Sequence, residues 1–255
     1  MASDETRVTR RHFIGSAAGA LLGTMAVPLR LAAQGSQTAA RLAARPKPGA
    51  PRTLASGPLG LGAGGRDGVV QVPATLRDGP VPLLLFLHGA TQNGAAMLRR
   101  IGPAADAAGV VVVAPDSRDG TWDAIRGSFG DDVVFLNDVL THVFARLLVD
   151  AARLTIGGFS DGASYALSLG LANGDLFPRV MACSPGFIVQ APPQGKPRLF
   201  MSHGRSDQIL PIDRCSRVIV PRLQAMRYDV TYREFDGRHE IPPAIATEAL
   251  AWMTA

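Results

Sequence analysis

The segment Gly158-Phe159-Ser160-Asp161-Gly162 carries the strongest chemical signal in the chain. It follows a short apolar run at 154–156 and precedes small residues that can open a helix, so its serine falls on a strand-to-helix turn. A turn this sharp strains the serine backbone and leaves no room for a Cβ atom two residues away on either side. In a chain with 28 glycines, the pattern alone also fits a turn with an incidental serine. Its position between strand and helix favours Ser160 as a nucleophile.

A serine hydroxyl is a poor nucleophile near neutral pH and needs a general base. Of the 5 histidines, His239 lies in a glycine-containing loop directly after the last predicted strand, where its imidazole can reach over the sheet. His142 lies inside a predicted helix and His12 precedes the fold. His88 and His203 each begin a His-Gly pair, for which a tight turn is the simpler role. We therefore predict that His239 is the base, with a surface histidine as the alternative.

The histidine needs a carboxylate that fixes its tautomer and stabilises the imidazolium. Asp207 follows the predicted strand 199–202, and Pro211 opens the next helix. This places Asp207 at the carboxyl edge of the sheet, where the serine and histidine also lie. Asp213 is the alternative, but it falls within the helix, where a surface or capping role fits it better. We predict Asp207 as the acid.

Acyl transfer also requires N–H donors for the oxyanion. The backbone N–H of Asp161 is one candidate, because it lies at the start of the helix that follows Ser160. The loop after the predicted strand 83–87 should supply the second donor, with Ala90 expected and Thr91 as the alternative. An ordinary strand-to-helix turn is the competing interpretation of that loop. The Asp161 side chain is expected at the mouth of the site, pointing to solvent.

Strands and helices alternate along the chain. The continuous apolar runs 83–87 and 110–114 are typical of strands buried on both faces. The alternation predicts an α/β fold with a mostly parallel, doubly wound sheet and helices on both faces, and ligands bind such sheets at the carboxyl ends of the strands. The predicted strands are 68–73, 83–87, 110–114, 153–156, 180–184, 199–202 and 230–235. The predicted helices are 93–108 with a break near Gly102-Pro103, 131–148, 163–172, 211–227 and 242–252.

Four motifs in this order resemble the phospholipase/carboxylesterase family of the α/β-hydrolases, which is close to the dienelactone-hydrolase-like enzymes. They are Leu87-His88-Gly89, the segment 158–162, His203 to Asp207, and Gly237 to Pro242. Segments 88–92 and 131–136 are also similar to polyhydroxybutyrate-depolymerase-like and feruloyl-esterase-like relatives. The resemblance covers about residues 66–252 and implies the α/β-hydrolase fold and the chain order serine, acid, histidine. One departure is Asp-Gly-Ala at 161–163, where the family often has Gln followed by two glycines.

The resemblance and the residues together predict a serine esterase that hydrolyses carboxylic esters through an acyl-enzyme on Ser160. Polyester, feruloyl and lysophospholipid substrates stay open, as do a thioesterase or peptidase on the same residues and a non-catalytic binding module. Thr91, Trp122 and Phe187 are predicted to line the substrate cleft, with a structural role in the core as the alternative for Trp122 and Phe187. No long insertion separates the later strands, so no large lid is expected.

The composition favours a globular enzyme of one main domain, with 47% hydrophobic and 18% charged residues. The net charge of +5 comes from scattered arginines without interleaved aromatic residues, which argues against a nucleic-acid partner. No residues show metal-ligand or phosphate-loop spacing, so no metal and no cofactor are expected. The expected partner is a small-molecule or polymeric ester. Cys183 and Cys215 are expected as separate thiols, with a disulfide as the alternative.

The N-terminus resembles a twin-arginine export signal, because Arg10-Arg11 is followed by Phe13 and a moderately apolar run. Residues 1–33 are predicted as this signal, 34–64 as a disordered or linker segment, and 65–255 as the catalytic domain. The protein is then expected in the periplasm or outside the cell, without stable membrane insertion after export. A single-span anchor is the alternative.

Overall fold

A sheet of eight strands forms the centre of the residues described by the computed structural model, which are 40–62, 65–74, 76 and 78–255. The strand order is β1-β2-β4-β3-β5-β6-β7-β8, and every pair from β4 onward in this order is parallel. The two strands β1 and β2 at one edge are antiparallel. This confirms the predicted mostly parallel α/β sheet. The strands are β1 Gly57–Pro58, β2 Gly68–Gln71, β3 Val81–Leu87, β4 Val111–Pro115, β5 Val149–Phe159, β6 Arg179–Cys183, β7 Arg198–Gly204 and β8 Val230–Phe235.

The central strands are apolar at every position because both faces of the sheet are covered. In β3, Leu83, Leu85 and Leu87 pack into one hydrophobic cluster, whereas Leu84 and Phe86 pack into a second cluster on the other face. Side chains of a strand alternate between faces, so an apolar run of this kind supplies both cores at once.

The helices divide between these two faces. Helices α1 Gly94–Ala108 and α6 Pro243–Thr254 cover the face of the second cluster. Helices α3 Asp131–Phe144, α4 Asp161–Ala172 and α5 Ser216–Ala225 cover the face of the first cluster. A short helix α2, Asp123–Arg126, lies in the loop between β4 and α3, and a 3₁₀ turn at Ile212–Arg214 precedes α5. Doubly wound packing with helices on both faces is therefore confirmed.

Three predicted helices differ from the structure in their continuity or by more than two residues at one end. Helix α1 continues through Pro103 without the expected break, because Met97, Ile101 and Ala105 keep one buried stripe across that position. The helix predicted over 131–148 ends at Phe144. The helix predicted over 211–227 is a 3₁₀ turn followed by α5.

Residues 40–62 differ most from the expectation, since a disordered or linker segment was predicted there. Ala40 and Leu42 are buried in the first hydrophobic cluster. The side chain of Asn173 accepts from the Leu42 N–H at 2.9 Å and donates to the Ala40 carbonyl at 2.7 Å. The segment is held by amide side chains from distant helices, so it needs no periodicity of its own. This is why the sequence pattern did not indicate that it packs against the domain.

The predicted export signal at 1–33 lies outside the described residues. Within them, no helix combines the length and the apolar character that crossing a membrane requires. Cys183 and Cys215 are both buried and unpaired with each other, as two separate thiols.

Candidate active site

Ser160 lies at the junction between β5 and α4, on a strained backbone with φ 58° and ψ −122°. This conformation is rare for a residue with a side chain. A Cβ atom on Gly162 would lie 2.3 Å from the Leu87 carbonyl oxygen, and one on Gly158 would lie 2.3 Å from the carbonyl oxygen of Gly162. The helix can therefore start directly behind the strand only if both positions are glycine, as the pattern around Ser160 predicts.

Ser160, His239 and Asp207 are brought together in one chain of hydrogen bonds. His239 Nε2 lies 2.8 Å from Ser160 Oγ, and His239 Nδ1 lies 2.6 Å from Asp207 Oδ2. Because a carboxylate only accepts, Nδ1 carries the proton and Nε2 is free to accept from the serine hydroxyl. The alternative acid Asp213 instead pairs with Arg217 at the surface. The arrangement can deprotonate the serine, and the catalytic roles of the three residues stay a prediction.

The loop after β8 must reach back across β7 to bring His239 over Ser160. It crosses the end of β7 at Gly204, where a Cβ atom would lie 2.2 Å from the Arg238 carbonyl oxygen. The crossing is held by the Ser206 N–H, which donates to the Gly237 carbonyl at 3.0 Å. The imidazole then packs against the ring of Phe159, with centroids 4.7 Å apart. Phe159 is thus a buried platform for the histidine.

Asp207 has a fully buried side chain that accepts three hydrogen bonds and lies close to a fourth N–H group. Its Oδ1 accepts from the N–H groups of Ile209 and Leu210, at 2.9 and 2.8 Å. Its Oδ2 faces His203 Nε2 at 3.2 Å as well as the ring of His239. These contacts orient the carboxylate and compensate for its burial.

His203 is a neighbour of the acid that sequence reasoning had interpreted as part of a tight turn. Its Nε2 also lies 2.8 Å from the Leu210 carbonyl, so Nε2 carries the proton, and its Nδ1 lies 2.7 Å from Ser216 Oγ. Burial lowers the pKa of His203, so the ring is neutral. Its one available signal in the sequence is its position four residues before Asp207.

The loop after β3 lies beside the serine because Leu87 pairs with Gly158 in the parallel register. A Cβ atom on Gly89 would lie 3.2 Å from that of Ser160. The Thr91 N–H is occupied, since it donates to the Gly120 carbonyl at 2.6 Å, whereas the Ala90 N–H has no acceptor among the described residues. The structure therefore favours Ala90 over Thr91 as the second oxyanion donor. The Asp161 N–H lies at the first position of α4, where no acceptor within the helix exists.

His88 holds the peptide group that contains the Ala90 N–H. Its Nε2 accepts from the Ser117 N–H at 2.9 Å, so its Nδ1 carries the proton and donates to the Gly89 carbonyl at 2.7 Å. The Gly89 carbonyl and the Ala90 N–H belong to one planar peptide unit, so fixing the first also fixes the second. Burial lowers the pKa of His88 and keeps the ring neutral. Sequence reasoning assigned His88 only to a turn.

Asp161 does not point freely to solvent as expected. Its Oδ2 accepts from the Thr121 hydroxyl at 2.7 Å. Thr121 belongs to the loop between β4 and α3, which is anchored by the carboxylate of Asp132. That carboxylate accepts from the N–H groups of Arg118 and Asp123 at 2.6 Å each. Burial raises the pKa of Asp132 to about 6.

The predicted lining residues have different positions. Trp122 is completely buried and donates its indole N–H to the His88 carbonyl at 2.8 Å, so its prediction as a cleft residue is wrong. The loop folds inward there because the indole packs between the rings of His88 and Tyr165. Thr91 is exposed beside the site, and its hydroxyl donates to the Ala90 carbonyl. Phe187 is exposed on the loop after β6.

Comparison with known proteins points to esterases. The model of the phospholipase/carboxylesterase family matches residues 131–252. Feruloyl esterase C of Emericella nidulans is 30% identical over 162 residues, which are 58% of this chain and 57% of that protein. The chain thus spans less than two thirds of that relative. The carboxylesterase of Bacillus cereus has a TM-score of 0.58 at 20% identity, over 75% of this chain and 94% of that structure. Acetyl xylan esterase from Aspergillus awamori has a TM-score of 0.61 at 12% identity, over 79% of this chain and 99% of that structure.

The strained backbone of Ser160 predicts an unusual order of stabilities. We expect Ser160→Gly to be more stable than Ser160→Ala by about 1 kcal/mol, because only glycine adopts a positive φ without cost. At Ser164, inside α4, the order should be reversed: we expect Ser164→Gly to be less stable than Ser164→Ala by about 1 kcal/mol. Urea unfolding of the four variants measures both differences. The same order at both positions would contradict a strained serine.

Proposed function

We propose that the chain is a member of the α/β-hydrolase esterases and that it is a serine esterase that hydrolyses carboxylic esters. The observation that carries the proposal is the hydrogen-bond chain from Ser160 Oγ through the ring of His239 to Asp207, with distances of 2.8 and 2.6 Å. The proposed catalytic unit is residues 65–255 together with the docked segment 40–62.

In the first half-reaction, Ser160 Oγ attacks the acyl carbon while His239 Nε2 takes its proton. Asp207 holds the ring in this tautomer and stabilises the imidazolium that forms. The N–H groups of Ala90 and Asp161 donate to the oxyanion of the tetrahedral intermediate. His239 then returns the proton to the leaving alcohol, and the acyl group stays on the serine as an ester.

In the second half-reaction, His239 removes a proton from water, which attacks the acyl-enzyme. The second tetrahedral intermediate uses the same two N–H donors. Its collapse breaks the bond to Ser160, the proton returns to the serine oxygen, and the carboxylic acid leaves.

Among esters, aryl acyl groups are the first class to test, since a relative is named feruloyl esterase C. The carboxylate of Asp161, held beside the nucleophile by Thr121, supports substrates that are uncharged next to the ester bond.

The chemistry is tested by replacing the nucleophile. We expect Ser160→Ala to abolish hydrolysis of p-nitrophenyl acetate and butyrate, with a loss of at least roughly 10⁴-fold in kcat. A fluorophosphonate should label the unaltered protein with one equivalent, at Ser160. Undiminished turnover, or labelling of another residue with Ser160 untouched, would refute the mechanism.

The role of His88 is tested by its effect on kcat. Without its N–H, the Gly89–Ala90 peptide loses its anchor, and His88→Leu should lower kcat up to roughly 100-fold, approaching the loss of one oxyanion donor. KM should change little, because the donor acts in the transition state. His88→Asn keeps an N–H close to the position of Nδ1 and should retain most of the rate. Equal losses in both variants would indicate that His88 serves only packing.

We also propose that the protein is exported by a twin-arginine signal at residues 1–33 and acts in the periplasm or outside the cell. The support is the pair Arg10-Arg11, followed by an apolar run. Replacement of both arginines by lysine should keep the esterase in the cytoplasmic fraction, as measured by p-nitrophenyl butyrate hydrolysis after cell fractionation. Unchanged export of the variant would exclude this route.

A further inference from the structure

The connection between β6 and β7 is unusual because it contains no helix. Parallel strands are ordinarily joined by a crossover helix. Helix α1 joins β3 to β4, α4 joins β5 to β6, and α5 joins β7 to β8, whereas residues 184–197 form an irregular loop. A groove of about 740 Å³ lies between this loop, α4 and α5. It occupies the face of the sheet where a crossover helix would otherwise pack.

The groove is held open by fixed contacts of the loop with α4. The Gly186 N–H donates to Ser164 Oγ and the Val189 N–H to Ser168 Oγ, both at 2.8 Å. The Gln194 N–H donates to the Leu171 carbonyl at 2.9 Å. These three contacts follow α4 for two turns, so the groove is preformed.

The walls of the groove are mainly apolar. Leu171, Ile219 and Leu223 contribute buried side chains. Phe187 and Met226 are 43% and 51% exposed at its rim. Contiguous apolar surface that is exposed to solvent often marks a site that binds a ligand or a partner.

The rim also carries two positive charges. Arg214 and Arg222 line the groove and are exposed. Within the described part of the chain neither has an acidic partner, whereas Arg217, between them, is paired with Asp213 and Glu234. The lining contains no acidic residue. A ligand that complements this groove has an apolar body and an anionic group.

One end of the groove adjoins the active site. A Cβ atom on Gly186 would lie 3.3 Å from the Leu210 side chain, and the Leu210 N–H binds Asp207. The loop begins directly after Cys183, whose carbonyl accepts from the Ser160 N–H at 3.0 Å. The loop that forms one wall of the groove therefore begins beside the nucleophile and the acid, within reach of a long chain attached to an ester at Ser160.

We propose that this groove is a substrate subsite that binds the remote part of the ester, an apolar chain that ends in a carboxylate. The inference rests on the proposed esterase activity and specifies its substrate class. The apolar chain lies between the β6–β7 loop and α5, and Arg214 and Arg222 bind the terminal carboxylate. Asp161, beside the nucleophile, then selects for an uncharged group next to the ester bond. The two arginines select for a carboxylate at the far end of the same substrate.

The test compares three p-nitrophenyl esters with the full chain: the acetate, the decanoate and the monoester of decanedioate. The unaltered enzyme should hydrolyse the decanedioate monoester with a kcat/KM roughly tenfold above that of the decanoate. The double variant Arg214→Gln/Arg222→Gln should lose this preference. Val218 lies on the apolar wall of the groove, so Val218→Asp should slow both long esters. The acetate, which is too short to reach the groove, is the reference, and Arg99→Gln on the opposite face of the sheet is the matched control.

Unchanged kinetics of both groove variants on the long esters, with normal acetate turnover, would overturn the proposed subsite but not the proposed esterase activity.

If no ester is hydrolysed, the proposed function fails, and isothermal calorimetry still tests whether the groove binds a ligand. Ser160→Ala should bind the monomethyl ester of decanedioate, which has one charged end, and the two arginine substitutions should weaken this binding about tenfold; absence of binding would overturn the proposal. A dimer in light scattering that Val218→Asp dissociates would assign the groove to a second copy and also overturn it.

Discussion

The close approach of α4 to the end of β3 is the constraint on which the site depends. The Gly162 backbone lies against the carbonyl groups of Leu87 and His88, so closely that a Cβ atom would clash with both. Because the helix starts there, Ser160 must turn within one residue and adopts a positive φ that costs about 1–3 kcal/mol. Its N–H and carbonyl are both hydrogen-bonded, which holds the residue in that conformation. The same approach brings the loop that contains Ala90 beside the serine, since a Cβ atom on Gly89 would lie 3.2 Å from that of Ser160.

The second constraint is electrostatic and concerns Asp207, a buried carboxylate between two histidines. An ionised carboxylate in the interior is tolerated only if its oxygens are hydrogen-bonded. His203 places its Nε2 within 3.2 Å of Oδ2, and because burial lowers its pKa, it does so without a positive charge. A cationic ring there would compete with His239 for the negative charge and weaken its support of the imidazolium. The neutral state of His203 thus leaves Asp207 available for the base.

Sequence patterns predicted those parts of the structure that depend on local rules. The two glycines around Ser160, the apolar run of β3 and the strand-end positions of Asp207 and His239 all follow from neighbours in the chain. The positions of His88 and Trp122 were predicted less well, because each forms its hydrogen bonds with a segment about thirty residues away in the chain. Residues 40–62 were missed for the same reason, since their backbone groups are satisfied by distant asparagines. Hydrogen bonds between distant segments leave no periodic signal.

The helix-free connection between β6 and β7 shows how a missing element can shape a site. A crossover helix there would cover the apolar residues that α5 and its C-terminal end now expose. With a loop instead, Phe187, Val218 and Met226 stay exposed next to the nucleophile helix. Exposing these side chains to water is unfavourable, by about 25 cal/mol for each Å² of apolar surface that a helix would have covered. The three contacts that fix the loop to α4 prevent it from collapsing over this surface, so the open face is a stable property of the fold. It is the surface to which the proposed subsite assigns the remote part of a long ester.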